Sequence, residues 1–293
     1  MKNNSLVILG LWNMGEGVFH KKLALVESKR IIKKAISMGI STFDSAYSYQ
    51  DSDSILYSAL KEANVERGNW RIVEKVMPIP TLEKKVDASR KRLKTDYLDI
   101  LLLHWPTNNN ELYSSLSKLE KLKNEDIIKE YGVSNFPLSL LKKVSLDFDV
   151  SYHERALSLV WNKDYEEERK LEIKTLSYGP LGFGFLSKEK KPRLSSLPFY
   201  SSKEREKLFS TLDKMEEKYK VSRETIAYSW VNQKEPYAII RGVSSIEQLS
   251  LSAIELSSDD IKELDEVANS ITLSSPSDNI FSHNYAGDKN EET

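Results

Sequence analysis

The chain has 293 residues, 40% of them hydrophobic, and its 43 basic residues nearly balance 44 acidic ones to leave a net charge of −1. That length can bury a substantial core as one domain, and balanced charge without a basic stripe interleaved with aromatics argues against nucleic acid as a partner. Cysteine is absent, which excludes disulfides and thiol catalysis and removes the soft ligand that structural zinc sites favour, so no metal site is expected.

The segment from Met1 to Leu11 is too short and polar for a signal peptide, and no run approaches the roughly 18 apolar residues of a membrane span. The expectation is a soluble, cytoplasmic protein. In chain order, Leu6 to Leu11 reads as a first strand, followed by a glycine-rich segment with Trp12, Gly15 and Gly17. Glu27 to Met38 carries apolar residues at helical spacing and stops at Gly39, and Ile40 to Phe43 is a short strand ending in Asp44. Ser54 to Ala63 is amphipathic, and Arg71 to Val76 is a strand bearing Lys75 near its end. Helix Thr81 to Leu93 and strand Leu98 to Leu103 follow, the strand delivering His104.

The alternation continues with helix Leu112 to Leu122, strand Ile127 to Val133 and helix Leu138 to Val144, the last behind Pro137. A sixth strand is expected within Val150 to Val160 and a seventh over Ile173 to Tyr178; Ser187 to Ser201 reads as a surface linker. Helices are expected over Ser202 to Tyr219 and Ser222 to Val231, the eighth strand over Tyr237 to Ile240, and further helices over Ile246 to Ala253 and Asp259 to Ala268.

Eight strand and helix alternations with short connections imply an α/β fold with a parallel sheet. Closure into a (β/α)8 barrel, a single domain with extra C-terminal helices, is the favoured architecture. Gly10, Gly15 and Gly17 lack the spacing of the phosphate-binding turn that opens a doubly wound nucleotide fold. Domain boundaries are drawn at 1–273 for the barrel and 274–293 for a polar C-terminal tail. In such a barrel all strand C-termini meet at one face, where active sites lie. Asp44, Lys75 and His104 close three successive strands, Tyr49 lies five residues beyond Asp44, and Trp12, Tyr47 and Trp105 fall where they could line a substrate cleft.

Taken together, these residues resemble the aldo-keto reductase family. The signatures are Phe43-Asp44-Ser45-Ala46-Tyr47-Ser48-Tyr49, Val73-Glu74-Lys75-Val76, Thr95-Asp96-Tyr97-Leu98-Asp99 leading to His104-Trp105-Pro106, Gly132-Val133-Ser134-Asn135-Phe136, Tyr178-Gly179-Pro180-Leu181-Gly182, and Gly242-Val243-Ser244-Ser245-Ile246-Glu247-Gln248-Leu249. The resemblance implies a catalytic tetrad of Asp44, Tyr49, Lys75 and His104, and NADP(H) or NAD(H) as cofactor. It further implies that Ser134 and Asn135 bond the nicotinamide carboxamide, that Tyr178 stacks on its ring, and that Gly179 and Leu181 of the same signature line the nucleotide. Glu154 stands where the family usually has Gln; an ionised carboxylate accepts a hydrogen bond but cannot donate one. Gly242 and Gln248 stand where many NADPH-using members place Lys and Arg. Arg241 could substitute for these, and Ser244 and Ser245 could donate at a helix N-terminus.

The chemistry of such a tetrad can be argued independently of resemblance. A carbonyl reduction needs a hydride on carbon and a proton on the developing alkoxide. A phenol with a pKa near 10 needs a neighbouring ammonium to favour its phenolate, and the ammonium needs a carboxylate to hold it. The expected partner is a small carbonyl or alcohol substrate, with no nucleic acid or membrane and with a monomer or weak homo-oligomer as the assembly. Two rivals are a nucleotide-binding sensory relative that acts through a protein partner, and a barrel hydrolase using Asp44 and Glu154.

Overall fold

A computed structural model of the chain describes residues 5–15, 22–107, 109–188 and 202–271. Gly17, most of the linker and the tail from 274 lie outside the described residues. Eight parallel strands close into a barrel in sequence order: β1 (Leu6–Gly10), β2 (Thr42–Asp44), β3 (Arg71–Val76), β4 (Leu98–Leu103), β5 (Ile128–Ser134), β6 (Tyr152–Ala156), β7 (Lys174–Tyr178) and β8 (Ala238–Gly242). The sequence-derived strands are all present, and the fold is the eight-fold β/α barrel. No described helix is long and apolar enough to cross a membrane.

The described residues belong to two compact units, one comprising Met1–Arg155, Arg169–Tyr178 and Pro236–Leu251, the other Ala156–Glu168, Gly179–Glu235 and Ser252–Thr293. In the first, helices α1 (Leu25–Ser37), α2 (Ser52–Glu62), α3 (Leu82–Leu93), α4 (Asn109–Asn124) and α5 (Leu138–Asp147) alternate with the strands. Ile31, Ile32 and Ala35 of α1, Leu56 of α2, Val86 of α3 and Leu116 of α4 join outward residues such as Ile72 and Leu101 in a continuous apolar layer. The alternate residues point inward, where Ile8, Val73, Ile100, Leu102, Leu176, Ala238 and Ile240 form the inner core. Period-two alternation therefore separates the two layers.

At the N-terminal end of the barrel, Tyr152 donates to Glu130 at 2.5 Å, and Arg71 and Lys174 approach the same carboxylate at 3.5 Å. On the outer side, the guanidinium of Arg67 lies between the rings of Trp70 and Tyr97 and donates to Asp99 at 2.6 Å, while Asp99 also accepts from the Ile72 N–H. The Thr95-to-Asp99 signature thus ties β3 to β4.

In the second unit, α6 (Tyr165–Glu168) is a single turn, and α7 (Ser202–Tyr219), α8 (Arg223–Gln233) and α9 (Ser258–Ser270) supply the longer helices. Trp230 donates to Asp265 at 2.7 Å, and the amide of Gln233 both donates to the Leu256 carbonyl and accepts from its N–H. Ser222 and Ser257 cap α8 and α9, their side chains accepting the N–H groups of Thr225 and Asp260.

The sixth strand lies within the expected span and covers five residues, because Leu157 onward leaves the ladder for a bridge between Ser158 and Trp161. One element differs from the sequence-based expectation. Ile246 to Ala253 is not an α-helix: a 3-10 turn covers Ile246–Ser250 and the chain then extends. Gln248 explains the tight turn, since its side-chain carbonyl accepts the Ser244 N–H at 2.7 Å while its main-chain carbonyl accepts from Arg241.

Candidate active site

Strand register brings together the residues that end the strands. Gly10 pairs with Asp44 and with Gly242, Lys75 with Leu102, Ser134 with Glu154, and Tyr178 with Ile240. Because the inward positions of β2, β3 and β6 end in Asp44, Lys75 and Glu154, these three side chains share one layer at the C-terminal end of the barrel. Lys75 is 1% exposed, and its ammonium donates to Asp44 in a short contact and to Glu154 at 3.2 Å. The ammonium lies 5.5 Å from the centre of the Tyr49 ring, and the Tyr49 and His104 rings meet edge to face at 5.9 Å. All four tetrad residues proposed from the sequence are therefore neighbours, with Glu154 as a fifth member.

Burial and charge act on these groups in opposite directions. Burial alone would push the Lys75 amine down, but the carboxylate of Asp44 and then Glu154 outweigh it and hold the amine above its usual range. Glu154 is driven well above the usual carboxyl range by burial and by the charge of Asp44, with Lys75 opposing. One ammonium thus faces two buried carboxyls, of which Glu154 is driven toward its neutral form. His104 is pushed down to about 3 by burial and by the Lys75 charge, so its ring is neutral.

Tyr49 departs from the sequence-based expectation of a depressed pKa. Lys75 does favour its phenolate, yet burial outweighs the ammonium, and Asp44, Glu154 and Tyr178 add to the upward shift. The phenol therefore holds its proton at neutral pH.

Backbone features hold the layer. Tyr49 ends the 3-10 turn Tyr47–Tyr49, and its carbonyl lies so close to Gly15 that a Cβ there would stand 1.8 Å from it. The His104 N–H donates to Val76 and its carbonyl accepts from the Asn135 amide at 3.0 Å. Asn135, at a left-handed φ of 64°, also donates to Ser134 and accepts from the Tyr178 hydroxyl at 2.6 Å. Ser134, Asn135 and Tyr178 are thus one bonded group beside His104, and Glu154 pairs with Ser134 in the ladder.

The other expected site residues are spread over several surroundings. The Tyr47 ring is packed against Arg92 and Lys85 of α3 and against the outer apolar layer. Trp105 is buried with its ring 6.2 Å from that of His104, and Trp12 is half-buried on the 3-10 turn after β1. Arg241 is buried on the outward side of β8 and donates to the Gln248 carbonyl at 2.7 Å. Gly242 is exposed, while the Ser244 N–H is taken by Gln248. The expected helix N-terminus at Ser244 and Ser245 is replaced by this turn. Gly179 and Leu181 belong to the second unit, in a turn where the Gly182 N–H donates to Gly179.

Sequence reasoning missed two features. In the sequence Gly15 reads only as part of a glycine-rich segment. The buried group of Ser45, Asp53, Glu74, Ser89 and Arg92 went unremarked, although Asp53 shares the apolar face of its helix with Leu56 and Leu60, and Glu74 alternates with Lys75 at a buried strand position.

Comparison with known proteins agrees with the architecture. Residues 6–269 match the model of the Aldo/keto reductase family. A soybean (Glycine max) protein described as "Probable aldo-keto reductase 1" is 26% identical over 88% of this chain and 84% of its own length. Methylglyoxal reductase DkgB of Escherichia coli O157:H7 is 32% identical, but the match covers 44% of this chain and 49% of that protein, about half its length. Among solved structures, the holo form of aldo-keto reductase AKR11C1 from Bacillus halodurans superposes with a TM-score of 0.75 at 20% identity, covering 90% of this chain and 92% of that one. The thermostable aldo-keto reductase Tm1743, in complex with epalrestat, also gives 0.75, at 24% identity over 89% and 94%. At such identities the structures speak for the fold.

Proposed function

The chain belongs to the aldo-keto reductase family, and from that premise we propose that it reduces an aldehyde or ketone to an alcohol, or runs the reverse oxidation, with NADP(H) or NAD(H) and with Tyr49 as proton donor. The convergence of Asp44, Tyr49, Lys75 and His104 on one end of the barrel carries this reading.

The donor set fits a nicotinamide. Asn135 and Ser134 offer amide and hydroxyl groups, Tyr178 offers a half-buried aromatic face bonded to Asn135, and neutral Glu154 can donate as well as accept, which restores part of what Gln would do. These residues would hold the ring and its carboxamide. When bound, the cofactor supplies the hydride that no side chain can.

The protein's own groups then do the rest. Neutral His104 can donate a hydrogen bond to the substrate oxygen without adding a charge, and so orients the carbonyl toward Tyr49. The phenol keeps its proton in the free enzyme and releases it only when the oxygen develops alkoxide character, a far stronger base. Lys75 stabilises the phenolate that results, and Asp44 holds the ammonium in place. A hydrolase would need Asp44 and Glu154 as an independent acid and base, whereas both close on the Lys75 ammonium, which supports the reductase reading over that rival.

The test is oxidation of NADPH and NADH against a panel of aldehydes and ketones. Tyr49→Phe should abolish turnover and leave nucleotide binding intact. Full turnover by that variant, or tight nucleotide binding with no turnover of any carbonyl by the wild type, would overturn the assignment, the latter in favour of the sensory rival.

A further inference from the structure

Behind the tetrad, between β3 and helices α2 and α3, lies a second buried polar group that the proposed chemistry does not use. Glu74 and Asp53 are both 0% exposed. Ser45 donates to Asp53 at 2.7 Å, and Arg92 donates to the other oxygen of Asp53 from Nε and Nη2 at 3.0 and 2.8 Å. Arg92 also donates to the Ser89 hydroxyl, which in turn donates to Oε1 of Glu74 at 3.0 Å. The carboxyl of Glu74 therefore adjoins the Asp53–Arg92 ion pair; its buried Oε2 meets no donor among the described residues, and Asp53 is the side chain that a proton on Glu74 can bond.

An ionised carboxylate with one hydroxyl donor and no cation in contact would be costly at full burial. A neutral carboxyl avoids that cost, and its hydroxyl has Asp53 as the adjacent acceptor, whose own carboxyl burial pushes up while Ser45 and Arg92 oppose the rise. The charged groups facing Glu74 are Asp53 from α2, Arg92 from α3 and Lys75 on its own strand, and burial followed by Asp53 drives its carboxyl well above the usual range.

Chain connectivity makes this group relevant to the site. Glu74 precedes Lys75, Ser45 follows Asp44, and Tyr49 lies in the segment whose two ends, Ser45 and Asp53, both belong to the group. Ser52 adds a hydroxyl contact to Ser45 at 2.9 Å, and the Ser45 N–H donates to Val73 at 2.8 Å. We propose that Glu74 is a positioning residue whose neutral carboxyl, bonded into the Asp53–Arg92 pair, ties the strand end carrying Lys75 to both ends of the segment carrying Asp44 and Tyr49. The catalytic part of this proposal rests on the reductase reading; the neutrality of Glu74 does not.

Two measurements on the intact chain test it. In thermal unfolding between pH 5 and 9, a neutral buried Glu loses stability as pH rises above its unfolded pKa of about 4.3, whereas Gln loses none. The Tm of Glu74→Gln should thus gain on the wild type by roughly 2–4 °C between pH 5 and pH 8. In steady-state kinetics, Glu74→Leu should lower kcat about tenfold with KM for the carbonyl unchanged, and Glu74→Gln should restore kcat to within about twofold of wild type. Parallel Tm curves for wild type and Glu74→Gln, or wild-type kcat in Glu74→Leu, would overturn the proposal.

If Glu74→Leu does not fold, Asp53→Asn serves in its place. A shallower loss of Tm with pH and a lowered kcat support the proposal, and an unchanged pH dependence overturns it. The Tm series needs no activity, so failure of the wild type to reduce any carbonyl would strike the functional reading and leave the melting comparison to decide the neutrality of Glu74.

Discussion

Gly15 offers a sharp test of how the site is held, because its role is purely spatial. Its φ of −88° is one that any residue adopts, so conformational freedom is not what glycine supplies. A Cβ at this position would lie 1.8 Å from the Tyr49 carbonyl oxygen, 2.7 Å from its carbonyl carbon and 3.0 Å from its Cα, all main-chain atoms that no rotamer change can move. An ordinary carbon–oxygen contact needs about 3.3 Å, so Gly15→Ala must part the two segments by about 1.5 Å, and overpacking of this kind costs about 1–3 kcal/mol of stability. A displacement near 1 Å in a reacting group lowers rates by about 100-fold, equivalent to about 2.7 kcal/mol of barrier.

The control is Gly39→Ala. Gly39 has a φ of +85° with no atom within 4 Å of its added Cβ, so this change introduces backbone strain of about 1 kcal/mol without touching the site. Steady-state kinetics and thermal unfolding of both variants separate the effects. Gly15→Ala should lose turnover far beyond its loss of stability, and Gly39→Ala should lose stability alone. Wild-type turnover in Gly15→Ala would refute the claim that this contact positions Tyr49.

Further outcomes follow from the charges. Lys75→Met leaves Asp44 and Glu154 without their cation and should cost about 3–5 kcal/mol at pH 8, less at pH 5, where the second carboxyl takes up a proton; melts at the two pH values measure the difference. Glu154 has a raised folded pKa, so the wild type loses stability as pH rises above the unfolded value of about 4.3, and Glu154→Gln should gain on it between pH 5 and pH 8. His104 has a folded pKa lowered to about 3 from 6.5, so stability present above pH 6.5 is lost as pH falls toward 3. His104→Gln should lessen the acid loss between pH 7 and pH 4 by about 2 kcal/mol once solvent access to the ring is allowed for. Arg241→Ala should change kcat/KM with NADPH and NADH by the same factor, since its guanidinium serves the Gln248 turn; a loss confined to NADPH would show that it binds the 2′-phosphate instead.

The barrel was legible in the sequence because strand and helix periodicities differ and each strand ends in a recognisable break. The tetrad was legible because three strands end in Asp, Lys and His, and a strand end in a parallel barrel specifies a position in space as well as in the chain. What sequence could not supply was the balance of opposing terms at that position. The ammonium of Lys75 was expected to make Tyr49 acidic, but the same layer holds two carboxyls and excludes water, and their sum has the opposite sign.

Glu154 shows why. As a letter in the sixth strand it reads as a substituted cofactor contact, and only the closure of β6 against β5, with Lys75 reaching across the barrel, makes it a second carboxyl on the Lys75 ammonium. A neutral acid at this point leaves the ammonium with one full counter-charge instead of two. A second full negative charge in the same layer would oppose a phenolate at Tyr49 more strongly than one does, so a neutral Glu154 would favour the proton transfer proposed above.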